Sequence, residues 1–271
     1  LDQTDRSADP RKAAGAALQP GAASQLYTET EGHPLFVVEM VRAGEIAGGA
    51  GAESALPPKI HAVIEARLVQ LSSAARRIAN MAAAIGRSFV FDVLAAASHE
   101  DEDTLVRGLD ELWRRQIIRE QSDTEYDFSH DKIREVTYAS LSMANRRLLH
   151  RRIAAAMEAV YAPNLDRFSH QIAHHYDAAG LTDKAIAYYQ RAGQKAQHIY
   201  ANADAVQLFT RALELLEALP ESYARAEQEL TLLRCLSVAY RNMEGYAAVN
   251  VGDVLMRARR LCEELDDGDA L

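Results

Sequence analysis

The chain has 271 residues, with 30 lysines and arginines against 39 aspartates and glutamates, which gives a formal net charge of −9. This acidic balance does not suit a protein that binds nucleic acid or an anionic membrane through a basic surface. The two cysteines, Cys235 and Cys262, are too few for a disulfide framework or a zinc site of their own, and they fit a reducing compartment. No uncharged apolar stretch approaches the ~18 residues of a membrane span, so we expect a cytoplasmic protein that does not enter a membrane.

Composition divides the first part of the chain into two segments. Residues 1–25 are rich in alanine, glycine and charge without an apolar period, which is typical of a flexible tether. Residues 26–55 hold a short helix that starts near Pro34 and a glycine-alanine linker. The first residue is not methionine and the acidic run at 263–269 does not resemble a terminus, so we expect a piece of a longer or processed protein.

The segment 56–142 combines apolar residues at helical spacing with two short runs of residues that are typical of β-strands. Helices are predicted over 59–70, 73–84, 90–97 and 102–115. Two strands at 117–121 and 125–128 flank the turn residues Ser122-Asp123-Thr124. Helices followed by a small hairpin are the order of a winged helix-turn-helix, so we predict a winged-helix domain with one small β-hairpin.

From 143 to 271 every apolar stripe has helical spacing, and the pattern matches tetratricopeptide repeats, in which small residues let paired helices approach and aromatic residues fill the gap. We predict a mainly α protein that ends in a tetratricopeptide-like α-solenoid. The predicted packing residues are Ala173, Tyr176, Ala185, Tyr189, Ala192, Ala205, Phe209 and Ala212. The polar candidates for partner contact between them are Gln171, His174, His175, Gln194 and Gln197. The stack has no polar terminal cap, which predicts self-association through 222–265.

Several segments, taken in order, resemble the STAND class of signalling ATPases, as found in bacterial adenylate-cyclase/ATPase fusions and large LuxR-type regulators. Gly32-His33-Pro34 resembles the Gly-x-Pro motif at the end of the AAA-like nucleotide module of that class. Residues 56–89 resemble the start of the winged helix that follows, and Phe128-Ser129-His130-Asp131 resembles the Met-His-Asp-like signature. Residues 147–154 resemble the helix that leads into the repeats, and residues 192–196 resemble the repeats themselves.

The resemblance implies a regulatory role inside a longer parent. Pro34 would contact the adenine and His130 the β-phosphate of a nucleotide, the winged helix would restrain the nucleotide module, and the repeats would bind a protein partner or a small inducer. In the alternative interpretation both are structural, because Pro34 starts a helix while His130 lies on the surface beside a cap formed by Ser129 or Asp131.

The sequence carries no motif for catalysis or for phosphate binding. It has no G-x-x-x-x-G-K-[ST] loop, no cyclase domain and no serine-hydrolase or zinc-protease motif. ATP or ADP and Mg²⁺ are therefore expected only in the parent, and this chain is expected to be non-catalytic and free of cofactors. His170 and His174 have a metal-ligand spacing, but no third ligand of the right kind lies nearby, so no metal site is expected.

Two other interpretations stay open. A DNA-binding transcriptional regulator would use the helix 102–115 as its recognition helix in the major groove. That helix carries four acidic residues against three arginines, so nucleic acid is not the expected partner. A stand-alone tetratricopeptide adaptor would use the first domain only as a cap.

Overall fold

The computed structural model of the chain describes residues 58–122 and 124–266. The tether predicted over 1–25 and the lid segment and linker predicted over 26–55, with Pro34, lie outside these residues. Within them the chain is mainly helical, as predicted, and has one small sheet. Among the described residues, contacts define two compact units: the first holds residues 58–91 and 100–141, and the second holds residues 92–99 and 142–266.

The first unit begins with two helices that are separated by a serine cap. α1 spans Pro58–Val69 and α2 spans Ser73–Ile85. The Ser72 hydroxyl accepts a hydrogen bond from the backbone N–H of Ala75 and so satisfies a donor that has no partner within the helix. α2 is rich in alanine, and its buried face packs against later helices of the unit.

α3 spans Phe91–Ser98, and from Asp92 onward its contacts place it in the second unit. α4 spans Glu102–Arg114, is capped by Asp101 and packs against α2. A Cβ at Gly108 of α4 would lie 2.2 Å from Cδ1 of Ile78 on α2. The missing side chain therefore lets these two helices approach closely.

Three short strands form an antiparallel sheet in the order β1-β3-β2. β1 is Ser88–Val90, β2 is Ile118–Glu120 and β3 is Glu125–Phe128. The sequence predicted only the hairpin of β2 and β3, so β1 corrects the prediction of a single hairpin. Three residues are too few to show a period of two, and β1 is defined instead by its pairing with β3, where Phe89 lies opposite Tyr126.

Asp127 on β3 joins the three strands through a buried carboxylate. Oδ1 accepts a hydrogen bond from the Ser88 hydroxyl on β1. Oδ2 accepts hydrogen bonds from Arg119 on β2 at 3.2 Å and from Gln121, just after β2, at 2.8 Å. Burial raises the pKa of Asp127, but these three donors outweigh it and hold the pKa below its usual value. A charged carboxylate therefore sits at the centre of the sheet with its hydrogen bonds satisfied.

α5, which spans Asp131–Ala139, closes the first unit by packing against α1, α2 and β3. Its N-cap residue is His130, which has an extended backbone and whose side chain makes no capping hydrogen bond. The carboxylate of Asp131 in the first turn accepts a hydrogen bond from Arg87 at 2.6 Å. The start of α5 is therefore held by an ion pair to the chain just before β1.

The second unit continues with six helices that pack one against the next along the chain, in an arrangement consistent with the predicted tetratricopeptide-like solenoid. A short 3₁₀ turn, Ala162–Asn164, separates the first two. The helices are α6 (Met143–Val160), α7 (Leu165–Ala179), α8 (Thr182–His198), α9 (Asn202–Glu217), α10 (Tyr223–Glu244) and α11 (Val249–Asp266). No helix in the residues that the structure describes is long and apolar enough to cross a membrane.

Close approach and buried charge hold neighbouring helices of the second unit together. A Cβ at Gly193 on α8 would lie 2.5 Å from the ring of Phe209 on α9, which is fully buried. Between α10 and α11, the buried carboxylate of Glu229 forms an ion pair with Arg257 at 2.6 Å. The same guanidinium pairs with Glu217 at the end of α9 at 2.8 Å, so three helices share one cation.

Candidate functional site

A groove with a volume of about 600 Å³ lies between α7, α8 and α9. Each helix contributes residues spaced three or four apart, which share one helix face. Asp166 and His170 come from α7, Ala192 and Lys195 from α8, and Arg211 from α9. A volume of this size falls in the range of about 300–1,000 Å³ that is typical of pockets for small ligands.

The floor of the groove is apolar and contains small side chains. Tyr189, Ala192, Ala196 and Leu208 line it and are all at most 8% exposed. The two alanines on α8 leave space that larger side chains would fill. Ile199, directly after α8, also lines the groove and is 61% exposed. An apolar group of a ligand would therefore find contact area both in the floor and beside it.

A hydrogen-bond network around Asp177 of α7 fixes the floor. The Tyr189 hydroxyl donates to Oδ2 of Asp177 at 3.2 Å, and Nε of Arg211 donates to the same oxygen at 2.9 Å. Arg211 also pairs with Glu214 at 2.8 Å. Burial, together with the charge of Asp177, raises the pKa of Tyr189 to about 12, so the phenol stays protonated at neutral pH.

The rim of the groove carries charged side chains, of which some are paired and some are not. Asp166 accepts a hydrogen bond from Arg191, which lowers its pKa, and the charge of Lys195 lowers it further. Neither Arg167 nor Lys195 forms an ion pair with a carboxylate among residues 58–122 and 124–266. Asp204 forms no ion pair within these ranges either. Two cations and one anion at the rim thus have no charged partner within salt-bridge distance.

This arrangement suits binding by shape and charge. An apolar part of a ligand would lie on the floor, and a charged part would meet the rim.

The structure places the predicted partner-contact residues outside this groove. Gln171, His174 and Gln194 are exposed on α7 and α8 but do not line it. Gln197 is half-buried and donates a hydrogen bond to the backbone oxygen of Cys235 at 2.8 Å, which joins α8 to α10. Its amide is thus engaged within the solenoid.

His175 is only 4% exposed, which corrects the prediction that its ring is available to a partner. Its Nδ1 lies 2.8 Å from Nδ1 of buried His150 on α6, so one neutral ring donates a hydrogen bond to the other. Burial is the largest of the causes that lower the pKa of His150 to about 4 and that of His175 to about 3, and interaction with neighbouring histidines contributes to both shifts. The described residues contain no group of three or more metal-ligating side chains that would hold an ion.

The eight predicted packing residues are all buried, at most 5% exposed. Tyr189 and Ala192 have a second role, because they also line the groove. Sequence reasoning assigned both to packing alone. The nucleotide contact predicted for His130 stays a prediction about the parent, since this residue is the N-cap of α5 in the structure.

Sequence reasoning missed most of the groove. Its polar residues include Arg167, Lys195, Asp204 and Gln207, none of which was singled out as a contact residue. The sequence signal that could have revealed these residues is a row of polar side chains beside each row of packing residues. On α9 the polar residues Asp204, Gln207 and Arg211 lie beside Ala205 and Leu208 in this way. Each helix has two such polar rows, one on either side of its buried face. Which of the two faces a groove depends on how the neighbouring helices pack.

Comparison with known proteins gives limited similarity. No family model matches the sequence. An uncharacterised protein of Rhizobium meliloti (strain 1021) is 29% identical over 191 residues, which is 68% of this chain and 18% of that protein. The chain therefore spans less than a fifth of this relative. A signal transduction ATPase with numerous domains (STAND) and a tetratricopeptide repeat sensor, solved from Pyrococcus horikoshii, is 14% identical, with 96% of this chain and 42% of that chain covered. The TM-score of 0.35 is too low to establish a shared fold.

Proposed function

We propose that this chain is a non-catalytic regulatory region whose helical repeats bind a ligand in the groove between α7, α8 and α9. The observation that carries the proposal is the groove itself, with an apolar floor at Tyr189 and Ala192 and rim charges at Arg167 and Lys195 that form no ion pair within the part of the chain that the structure describes. Helical repeats commonly use their concave surfaces for recognition, and a groove of this composition offers both contact area and orientation.

The proposal assigns a winged-helix domain to residues 56–142. Support comes from the order helix, strand, helix, helix, strand, strand between α2 and β3, and from the sheet order β1-β3-β2. α4 leaves Trp113 52% exposed and Val106 44% exposed, seven residues apart and so on one face. Exposed apolar side chains on an acidic helix suit a protein surface better than DNA phosphates, so we do not propose DNA binding as a second function.

In a longer parent, the sequence resemblance to STAND ATPases suggests how binding would be used. The winged helix would restrain a nucleotide module, and a ligand in the repeats would favour the released state because it binds that state more tightly. This part of the proposal also includes the binding of ATP or ADP and Mg²⁺ by the parent, the contacts of Pro34 and His130 with the nucleotide, and a cytoplasmic location. It predicts that the groove ligand changes the nucleotide turnover of the parent.

Self-association through the C-terminal helices stays a prediction. α11 leaves Leu255 52% and Met256 60% exposed, while Val251 and Ala258 of the same helix are buried. Two such apolar faces would cover each other in a dimer. Sedimentation at micromolar concentration should show the dimer in the wild-type chain and a monomer in Leu255→Glu, and a wild-type monomer would contradict the prediction.

A fragment screen by ligand-detected NMR tests the proposed binding function. Ala201 lines the groove and is half-exposed, so Ala201→Trp should fill the groove and remove the binding of fragments that bind the wild-type chain. Ala203→Trp is the matched control, since it places the same ring two residues later at an exposed position outside the lining. Fragments that bind both variants equally, or the absence of any bound fragment, would contradict the proposal.

A further inference from the structure

We infer that the groove ligand is a small amphiphilic monocarboxylate, an organic acid with one carboxylate and an apolar chain or ring. This inference rests on the proposed function, because it specifies the ligand class of the same groove. Three features carry it: two cations and one carboxylate at the rim that have no ion-pair partner among the described residues, and an apolar floor of limited volume.

The cations at the groove run against the charge of the whole chain. The formal net charge is −9, yet the lining holds three basic side chains against two acidic ones. Arg211 is engaged by Asp177 and Glu214, and its pKa is raised by those hydrogen bonds. Arg167 on α7, whose guanidinium lies 5.7 Å from the ring centroid of Phe168, and Lys195 on α8 have no carboxylate partner among the described residues and would meet an anionic group. A carboxylate between them would accept charge-assisted hydrogen bonds from both.

The floor selects an apolar group of modest size. The Tyr189 ring and the Leu208 side chain flank the space that Ala192 and Ala196 leave open. The volume of about 600 Å³ suits a small molecule with a chain or a single ring. Burial of that group on the floor supplies affinity, while the rim cations fix which end of the ligand points outward.

Asp204 limits the ligand to one negative charge. It lies in the first turn of α9 and lines the same groove as the two cations, without an ion-pair partner among the described residues. A second carboxylate or a phosphate dianion would be repelled by it, whereas a monocarboxylate leaves it solvated. The rim charges therefore favour a singly charged acid over a polyanion.

Calorimetry with three probes of matched shape tests the inference: phenylhexanoate, phenylhexanol and phenylhexylamine. We expect the anion to bind the wild-type chain most tightly and the amine most weakly. Lys195→Met and Arg167→Met should each weaken phenylhexanoate binding by about tenfold, the equivalent of one charge-assisted hydrogen bond, and leave phenylhexanol binding unchanged. Arg234→Met is the matched control, because Arg234 is an exposed cation of the same unit outside the groove.

The outcomes separate this inference from the proposed function. Three results would overturn the assignment of a monocarboxylate ligand and still leave the groove as a binding site. They are equal affinity for phenylhexanoate and phenylhexanol, tighter binding of phenylhexylamine than of phenylhexanoate, and a loss of phenylhexanoate affinity in Arg234→Met as large as in the two groove variants. The assignment is also overturned if none of the three probes binds, or if only an acidic peptide binds, while Ala201→Trp still removes fragment binding. If fragments show no dependence on Ala201, the proposed function itself fails.

Discussion

Gly193 determines how closely α8 and α9 pack, because a Cβ at this position would overlap the buried ring of Phe209. We expect Gly193→Ala to lower the free energy of unfolding by about 1–3 kcal/mol, since overpacking outweighs the better helix propensity of alanine. The matched control is Gly252→Ala on α11, where a Cβ would meet nothing within 4 Å. That variant should gain about 0.5–1 kcal/mol. Urea unfolding measures both, and equal stability of the two variants would contradict the packing argument.

The buried pair of His150 and His175 should make stability depend on pH. Both folded pKa values, about 4 and about 3, lie below the ordinary value of 6.5, chiefly because of burial. As the pH falls below 6.5, the unfolded chain binds protons that the folded chain does not, so the free energy of unfolding decreases. The contribution of the pair to the free energy of unfolding is fully present above pH 6.5 and decreases progressively as the pH falls toward the folded pKa values.

Replacing one ring should reduce this pH dependence. In His175→Leu the slope of the unfolding free energy between pH 6 and pH 4.5 should fall by up to about 1.4 kcal/mol per pH unit, the contribution of one proton. His61→Gln is the matched control, because that ring lies half-exposed on α1. An unchanged slope in His175→Leu would show that the pair does not resist protonation in the folded state.

The neighbours His174 and His175 show what sequence can predict about a single residue. The spacing of Ala173 and Tyr176 fixes which face of α7 is buried, and both residues are buried as expected for packing positions. The sequence assigned both histidines to the surface because both are polar. His175 is buried because α6 supplies the ring nitrogen of His150, and such a partner 25 residues away leaves no trace in the local pattern.

At the scale of elements, the sheet depends on the carboxylate of Asp127. We expect Asp127→Asn to lower the free energy of unfolding by about 1–3 kcal/mol, because an amide cannot accept from Ser88, Arg119 and Gln121 at both oxygen positions. Glu125→Gln is the matched control, an exposed position on the same strand. Denaturant unfolding compares the two, and a loss in Glu125→Gln as large as in Asp127→Asn would contradict the role of Asp127.

Helices were predictable in this chain, and the first strand was not. The segments predicted at 73–84 and 102–115 differ by one residue at their ends from α2 and α4. Apolar spacing and serine or aspartate caps are local signals, so they can be detected within one segment. β1 has three residues and is defined by hydrogen bonds to β3, which lies more than thirty residues later in the chain.

At the scale of the whole molecule, the sequence indicated a succession of helices but not the groove. The succession follows from local periodicity, which every helix carries by itself. The groove needs the relative placement of α7, α8 and α9, and its depth comes from Ala192 and Ala196, two positions that local patterns mark only as packing sites. Packing residues and binding residues overlap here, and only the assembled helices show it.

Methyl NMR of the alanine-labelled chain, titrated with a groove-binding fragment, tests the central claim most directly. The methyl resonances of Ala192, Ala196 and Ala201 should shift in a concentration-dependent way, because these residues line the groove. Ala82 and Ala83, buried in the first unit, should not shift. Shifts confined to Ala82 and Ala83, or binding without any change at the three groove alanines, would contradict the account.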